Sequence, residues 1–347
     1  MFGWQLICLV DSTGFVGLPA PAAELIAAGA SAGGKIEVSV TAVSGGIRLN
    51  KGTGQKFRAN LRGYLFISPV VLGLIIWTFG PMVASAYYSF TDYKIIFPAG
   101  FIGAKNYINL FTRDKQFINS LSVTIRYAIM YVAIGQVTCL AIAILLTQKL
   151  RGMEFFRTFF YLPIIVPFVA SSVLWKYLYN KEYGPIAGFL KLFGLPAVNW
   201  LGSQDLVLLA LVLMSVWSSA TTTIIYVAGL QHIPEELQDA AKIDGGNAFQ
   251  RFLYITMPML SPTIFFNIVT AVIGAFQFFT PAFIMTEGGP AKATYFYNYN
   301  LYEKAFKWLE MGYASAMAWV LFAIILLLTF LIFRSSPLWV YYEGEVR

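Results

Sequence analysis

Ala314-Ser-Ala-Met-Ala-Trp-Val-Leu-Phe-Ala-Ile-Ile-Leu-Leu-Leu-Thr-Phe-Leu-Ile-Phe333 contains no charged residue. Wound as an α-helix at about 1.5 Å per residue, a run of that length reaches about 30 Å, the thickness of a bilayer's hydrocarbon core. Working outward from it, five further apolar runs of similar length lie at residues 64–90, 122–147, 158–179, 206–230 and 260–286. The runs are continuous rather than alternating, which favours helices over barrel strands, because lipid offers no other way to satisfy backbone groups within one segment. They predict an all-α membrane protein with six transmembrane helices.

Composition agrees with this. The 347 residues are 58% hydrophobic and only 12% charged, against about a quarter charged in ordinary soluble domains. A soluble enzyme of this size lacks the charge for its surface. The formal charge of +7 does not form a basic stripe with interleaved aromatics, so nucleic acid is not indicated. A single histidine, His232, and two cysteines, Cys8 and Cys139, exclude a structural zinc site and a disulfide framework. No metal site is expected.

Charge placement also bears on topology. Lys51, Lys56, Arg58 and Arg62 precede the first run, and Lys149, Arg151 and Arg157 follow the second, which points to a cytoplasmic N-terminal tail. Lys94, Lys105, Arg113 and Lys115 on the opposite connections weaken that signal. Residues 1–55 are rich in Gly, Ala and Ser without sustained period, and the apolar stretch at residues 6–10 has no basic segment before it. It makes a poor signal peptide. A targeting or regulatory tail and a disordered extension, such as a misplaced translation start would add, both fit; the second is favoured. The transmembrane domain is placed at residues 56–336, and residues 337–347 are read as a short cytoplasmic tail.

Within the six runs there is no Asp, Glu or His, and only Arg126 and Lys176 intrude. Both fall near one membrane face, where long side chains can snorkel. A proton- or sodium-coupled carrier would place a carboxylate near the midplane, so an ion-coupled secondary carrier ranks low. The acids, bases and metal ligands of an intramembrane enzyme are missing too, so no catalytic residue is nominated. The polar groups are neutral: Ser215, Ser218, Ser219, Thr221, Thr222 and Thr223 in the fourth run, and Gln277 beside Phe278 in the fifth. Hydroxyls and amides beside aromatic faces suit a neutral polyol, which makes Gln277, Phe278, Ser218 and Ser219 candidates for a solute path. For the Ser/Thr cluster, close packing of helices through small hydroxyl residues is the favoured reading.

Between the fourth and fifth runs, residues 231–262 predict two short helices. Pro234 suits a first helical position, and Glu235 and Glu236 complement the dipole of the first turn. Gly245-Gly246 supplies the stop, and Asn247 with Gln250 can cap a second helix lying along the membrane surface. Leu237, Ala240 and Ala241 form a narrow small-residue face suited to a groove on another protein. Pro258 and Pro262 are expected to turn the chain into the fifth run.

Asp239-Ala240-Ala241, then Gly245 after three residues, then Ile255, Thr256 and Met257-Pro258 after nine more, resembles the loop of permease subunits in binding-protein-dependent ABC importers. That family's pattern is Glu-Ala-Ala, three residues, Gly, nine residues, Ile, any residue, Leu-Pro. Here Asp239 replaces the glutamate, Gly246 stands where alanine is usual, and Met257 replaces the leucine. The resemblance extends over residues 60–336. Tyr64-Leu-Phe-Ile-Ser-Pro69, Tyr88-Ser-Phe-Thr-Asp-Tyr93, Gly103-Ala-Lys-Asn-Tyr107, Glu287-Gly-Gly-Pro290 and Met311-Gly-Tyr-Ala-Ser-Ala316 look like the carbohydrate-uptake branch.

The resemblance implies a coupling helix between the fourth and fifth spans, docked on a cytoplasmic ATPase through Glu235, Glu236, Asp239, Ala240, Ala241, Asp244 and Gly245. It further implies a second related permease, two ATPase subunits, an extracytoplasmic solute-binding protein, and a multi-pass location in a bacterial-type cytoplasmic membrane with both termini inside. The chain has no phosphate-binding Gly-x-x-x-x-Gly-Lys-Ser/Thr loop, so ATP is expected to be used by partner subunits and no cofactor to be bound here. Sugar or oligosaccharide is the expected cargo. A glycerol-phosphate solute is the alternative, disfavoured because it calls for cations in the path.

Overall fold

The computed structural model describes residues 53–341, with side chains from residue 63 onward. The expected extension at residues 1–55 therefore lies outside the described residues except for its last three, which begin a helix, and residues 342–347 of the tail lie outside as well. The chain divides into two units, Met1–Ile67 and Ser68–Arg347. Of the first, the described part is helical and belongs to α1 (Thr53–Leu74), which continues past the boundary.

The second unit is helical; among the described residues, extended pairing is confined to the isolated bridges Thr91–Phe101 and Lys94–Phe97. Among the described residues, four stretches are long and apolar enough to cross a membrane: Gly63–Tyr88, Lys115–Leu146, Ala248–Phe276 and Met311–Trp339. Two bent pairs also qualify if each is one span, which brings the number to as many as six. The all-helical expectation holds, whereas the expected uninterrupted third and fourth runs do not.

Proline explains the first break. The third run is divided into α5 (Met153–Tyr161), a tight 3₁₀ turn at Leu162–Ile165, and α6 (Phe168–Leu178), with a 104° bend. Pro163 and Pro167 cannot donate to the ladder, and Val166 before Pro167 is forced to extended backbone at ψ 121°. Serine explains the second. The fourth run bends by 51° between α8 (Val207–Trp217) and α9 (Ala220–Gln231). At this point Ser215, Ser218 and Ser219 donate to Leu211 O at 2.8 Å, Met214 O at 3.2 Å and Ser215 O at 2.7 Å. Hydroxyls that bond back four residues compete with the backbone ladder and bend helices.

Pro258 and Pro262, by contrast, do not turn the chain. Pro258 lies in the first turn and Pro262 in the interior of α12 (Met257–Phe276), which continues from the short α11 (Ala248–Arg251) through a π-helical turn at Phe252–Thr256. A second π turn, Ile75–Phe79, precedes Gly80-Pro81 in the same way. A widened turn just ahead of proline absorbs the missing donor and the ring's bulk without ending the helix. The second helix of the connection is thus an extension of the span. The fifth helix then stops at Phe276, ten residues before the expected end at residue 286, and a separate π turn follows at Ala282–Thr286.

At the centre lies α4 (Lys115–Leu146), whose first turn is capped by Asp114 Oδ1 accepting from Gln116 N at 2.8 Å and Phe117 N at 3.1 Å. It packs against α8, α9 and α12. One apolar cluster gathers Tyr127, Phe278, Phe296 and Met317; another, nearer the end bearing Leu146, gathers Cys139, Ala143, Tyr226 and Leu260. Three of the weak motifs converge on one knot. Asn106 Nδ2 donates to Ser89 O at 2.9 Å and Thr91 O at 2.8 Å. Gly312, in α14 (Met311–Trp339), donates to Tyr93 O at 2.9 Å, and a Cβ at Gly312 would lie 2.2 Å from Thr91 O.

Candidate functional site

Two features stand apart from this packing. The first is a cavity of about 380 Å³ at the place where two spans are broken, lined among others by Tyr131, Ser218, Ser219, Thr222, Gln277 and Phe278. Ser218 and Ser219 form the bend of the fourth span, and Gln277 is the C-terminal cap of α12. All four residues proposed for a solute path, Gln277, Phe278, Ser218 and Ser219, therefore meet at one cavity although they come from segments about sixty residues apart.

Their roles in it differ. Gln277 is exposed and its amide takes no partner among the described residues; the side chains of exposed Thr221 and half-buried Thr222 and Thr280 take none there either. Ser219 spends its single proton on Ser215 O, so the Tyr131 hydroxyl, 3.0 Å from Ser219 Oγ, must donate to it. By the same logic Tyr127 donates to Ser215 Oγ at 2.8 Å. Phe278 is buried against Tyr127 with ring centroids 4.3 Å apart, so it forms wall more than surface. Among the described residues, no charged side chain lines the cavity. Its contents are hydroxyls, one free amide and aromatic faces, within a volume in the usual ~300–1,000 Å³ range of small-molecule sites.

Tyr127 and Tyr131 were not anticipated from the sequence. A signal did exist: tyrosines four apart in the second run match serines four apart, Ser215 and Ser219, in the fourth. Across 88 residues the pairing becomes visible only once the two helices are side by side.

The second feature is α10 (Glu235–Ile243), which buries no residue. Pro234 caps it from outside, at ψ 130°, one position before the expected first turn. Gly245 at φ +81° and Gly246 end it, donating to Lys242 O at 3.1 Å and Ala241 O at 2.8 Å. Asn247 and Gln250 form the reciprocal capping box, at 2.8 and 2.9 Å. Thin attachments hold the helix: Lys149 Nζ to Glu235 Oε1 at 2.7 Å and Gln238 Nε2 to Thr256 Oγ1 at 3.2 Å. The hydrogen bond from Lys242, at 2.7 Å, holds the Asp239 carboxyl below its usual range, and the bond to Glu235 raises the Lys149 ammonium.

Glu235, Glu236, Asp239, Ala240, Asp244 and Gly245 are exposed, and Ala241 is half-buried. Leu237 and Ile243 add uncovered apolar surface, Ile243 being 86% exposed. A helix with acid groups, small residues and bare aliphatic side chains on a narrow stem has the form of a docking element.

Comparison with known proteins gives the following. The family described as "binding-protein-dependent transport system inner membrane component" matches residues 139–338. The probable ABC transporter permease protein YesP of Bacillus subtilis is 40% identical over 290 residues, covering 82% of this chain and 94% of its own. The trehalose/maltose transport system permease protein MalF of Thermococcus litoralis is 32% identical, with 69% and 81% covered. The sn-glycerol-3-phosphate transport system permease protein UgpA of Escherichia coli O6:K15:H31 is 30% identical, with 84% and 97% covered. In fold, the chain is similar to a chain in the crystal structure of a bacterial alginate ABC transporter in complex with an alginate pentasaccharide-bound periplasmic protein, with a TM-score of 0.73 at 18% identity over 82% of this chain and 96% of that one.

Proposed function

Because this chain belongs to the family of binding-protein-dependent transport system inner membrane components, we propose that it forms one half of the path by which a neutral sugar or oligosaccharide enters the cell. The family is one of transport components rather than enzymes. A second, related permease would supply the other half, two ATPase subunits the energy, and an extracytoplasmic solute-binding protein the cargo. ATP would be used on those partners, with no cofactor on this chain. Each bent pair counts as one span in this reading, giving six, with α10 and both termini on the cytoplasmic side.

The observation that carries the cargo assignment is the uncharged lining of the cavity at the two span breaks. A sugar presents hydroxyls that need both donors and acceptors, and a C–H face that an aromatic ring covers. Gln277 offers two donors and an acceptor, Thr221 and Thr222 offer hydroxyls, and Phe168 and Phe279 offer ring faces. The relatives named for trehalose/maltose and for starch degradation products support that class. The relatives named for sn-glycerol-3-phosphate keep the second cargo in view. A phosphate dianion, however, calls for Arg or Lys, and none lines this cavity among the described residues.

Transport would follow closure of the ATPase pair on nucleotide. The α10 helix, gripped by its acids and its Leu237–Ala240 face, would then move as a lever and drive the spans between inward- and outward-open states.

Sugar uptake by the reconstituted assembly tests the cargo assignment. Gln277→Ala removes a hydrogen-bonded pair and should raise KM about tenfold or more with ATPase activity retained. An unchanged KM for every sugar tried, together with saturable uptake of glycerol 3-phosphate, would overturn it.

A further inference from the structure

A larger cavity, of about 790 Å³, lies beside α10, between the turn that follows α4 and the start of the fifth span. Among the described residues, three cations line it: Lys149, Arg157 and Arg251. Arg251 Nε is buried there with no hydrogen-bond partner among the described residues. An orphaned guanidinium nitrogen is costly, because ordinary proteins pair nearly all such groups. Arg157 is committed in part, since its Nε donates to Leu146 O at 2.9 Å. Two carboxylates also face the cavity, Glu154 and Glu235, and Glu235 is held by Lys149. The balance is a single positive charge. The remaining wall is apolar, with Ile144, Leu230 and Phe252. The nearby segments bear uncovered phenylalanines, Phe155 at 72% and Phe249 at 71% exposed, of the kind that an interfacial helix sinks to the headgroup–acyl boundary.

We propose that this cavity binds the headgroup of an anionic phospholipid, with the phosphodiester on Arg251 and Arg157 and the start of the acyl region against Ile144, Leu230 and Phe252. Basic pockets between membrane helices recognise such headgroups, and a guanidinium fork matches two phosphate oxygens. The single net charge fits a phosphodiester, a monoanion throughout the neutral pH range, better than inorganic phosphate, which is a mixture of monoanion and dianion there. Apolar walls have no counterpart on the free ion. A lipid held here would brace the stem of α10, because Lys149, Glu235 and Gln238 all line the same cavity.

The test uses the full-length chain, purified with its subunits and equilibrated with phosphatidylcholine vesicles containing a minority of phosphatidylglycerol. Native mass spectrometry then gives the ratio of the two lipids retained. Phosphatidylglycerol should be enriched about fivefold or more over the vesicle ratio, and each of Arg251→Gln and Lys149→Gln should reduce that enrichment several-fold. The Lys149 side chain is 86% exposed, so its replacement leaves the packing intact. Lys181→Gln, on an exposed turn away from the cavity, should retain the full enrichment. Retention at the vesicle ratio in the unaltered protein would overturn the proposal, as would enrichment indifferent to Arg251 and Lys149. Displacement of the lipid by millimolar inorganic phosphate would reassign the cavity to a free anion. Cross-linking of a subunit's acidic residue into it, without lipid enrichment, would reassign it to a protein partner.

Discussion

Gly245 offers the sharpest perturbation of α10, the proposed docking helix. Its φ of +81° lies in the left-handed region, and a Cβ there would meet nothing within 4 Å. Substitution is therefore opposed by backbone conformation alone, without a clash. That conformation costs an L-residue about 1–2 kcal/mol, and a β-branched side chain such as valine brings it towards about 3 kcal/mol. If an alternative loop of equal intrinsic energy is available, the native end of α10 falls about 30- to 150-fold in relative population. Nothing buried resists that change, because no residue of α10 is buried. Gly245→Val should thus leave the protein in the membrane at normal abundance and lower ATP-driven uptake in proteoliposomes by more than tenfold. ATP hydrolysis by the partner subunits should continue, no longer matched to uptake. Gly245→Asn should recover much of the uptake, since asparagine enters the left-handed region readily. Normal coupling in the valine variant would refute the reasoning, and so would its disappearance from the membrane, which would make the turn a folding element instead of a lever joint.

Three further outcomes follow from the packing. Tyr131→Phe and Ser219→Ala should each lower the thermal midpoint modestly, and the double variant should lose less than the two combined, a double-mutant cycle reporting about 1 kcal/mol of coupling across the 3.0 Å contact. Gly312→Val forces a side chain onto Thr91 O, where even a Cβ would stand at 2.2 Å; membrane abundance measured by immunoblot should collapse, whereas an equivalent change at Gly274, where a Cβ meets nothing within 4 Å, should not produce that collapse. Asn247→Ala removes the Oδ1 that accepts from Gln250 N at 2.8 Å and leaves the bond from the residue's own N–H to Gln250 Oε1, at 2.9 Å, available; hydrogen exchange at residues 248–251 should accelerate several-fold while exchange in α4 stays unchanged.

The elements differ in how far the sequence discloses them. Helical spans were legible because lipid imposes one rule on a whole segment, and twenty apolar residues satisfy it in only one way. The end of α10 was legible because its chemistry is local: Gly245 with Gly246, and Asn247 with Gln250, lie within six residues of one another. The broken spans were not. Hydropathy does not register the loss of a backbone donor at Pro163 or the back-bonding of Ser218, so both runs scan as continuous. Pro258 failed in the opposite sense, because the π turn at Phe252–Thr256 that accommodates it has no compositional signature. At the cavity, Gln277 and Ser218 stood out as polar residues in apolar runs, whereas Tyr127 and Tyr131 read as ordinary core aromatics until the contacts with Ser215 and Ser219 formed. The weak motifs at Tyr88–Tyr93 and Met311–Ala316 owe their pattern to a contact between distant segments, the Gly312–Thr91 approach, which no local rule expresses.

In the proposed function this chain is a passive path for an uncharged sugar, driven through α10 by a partner's ATPase. Uptake of radiolabelled maltose or a related neutral oligosaccharide into proteoliposomes, reconstituted with the partner permease, ATPase subunits and binding protein, tests it most directly. Uptake is expected to require internal or external ATP on the ATPase face and to be indifferent to proton and sodium gradients. Uptake that persists without the ATPase subunits and follows an imposed ion gradient would contradict the account.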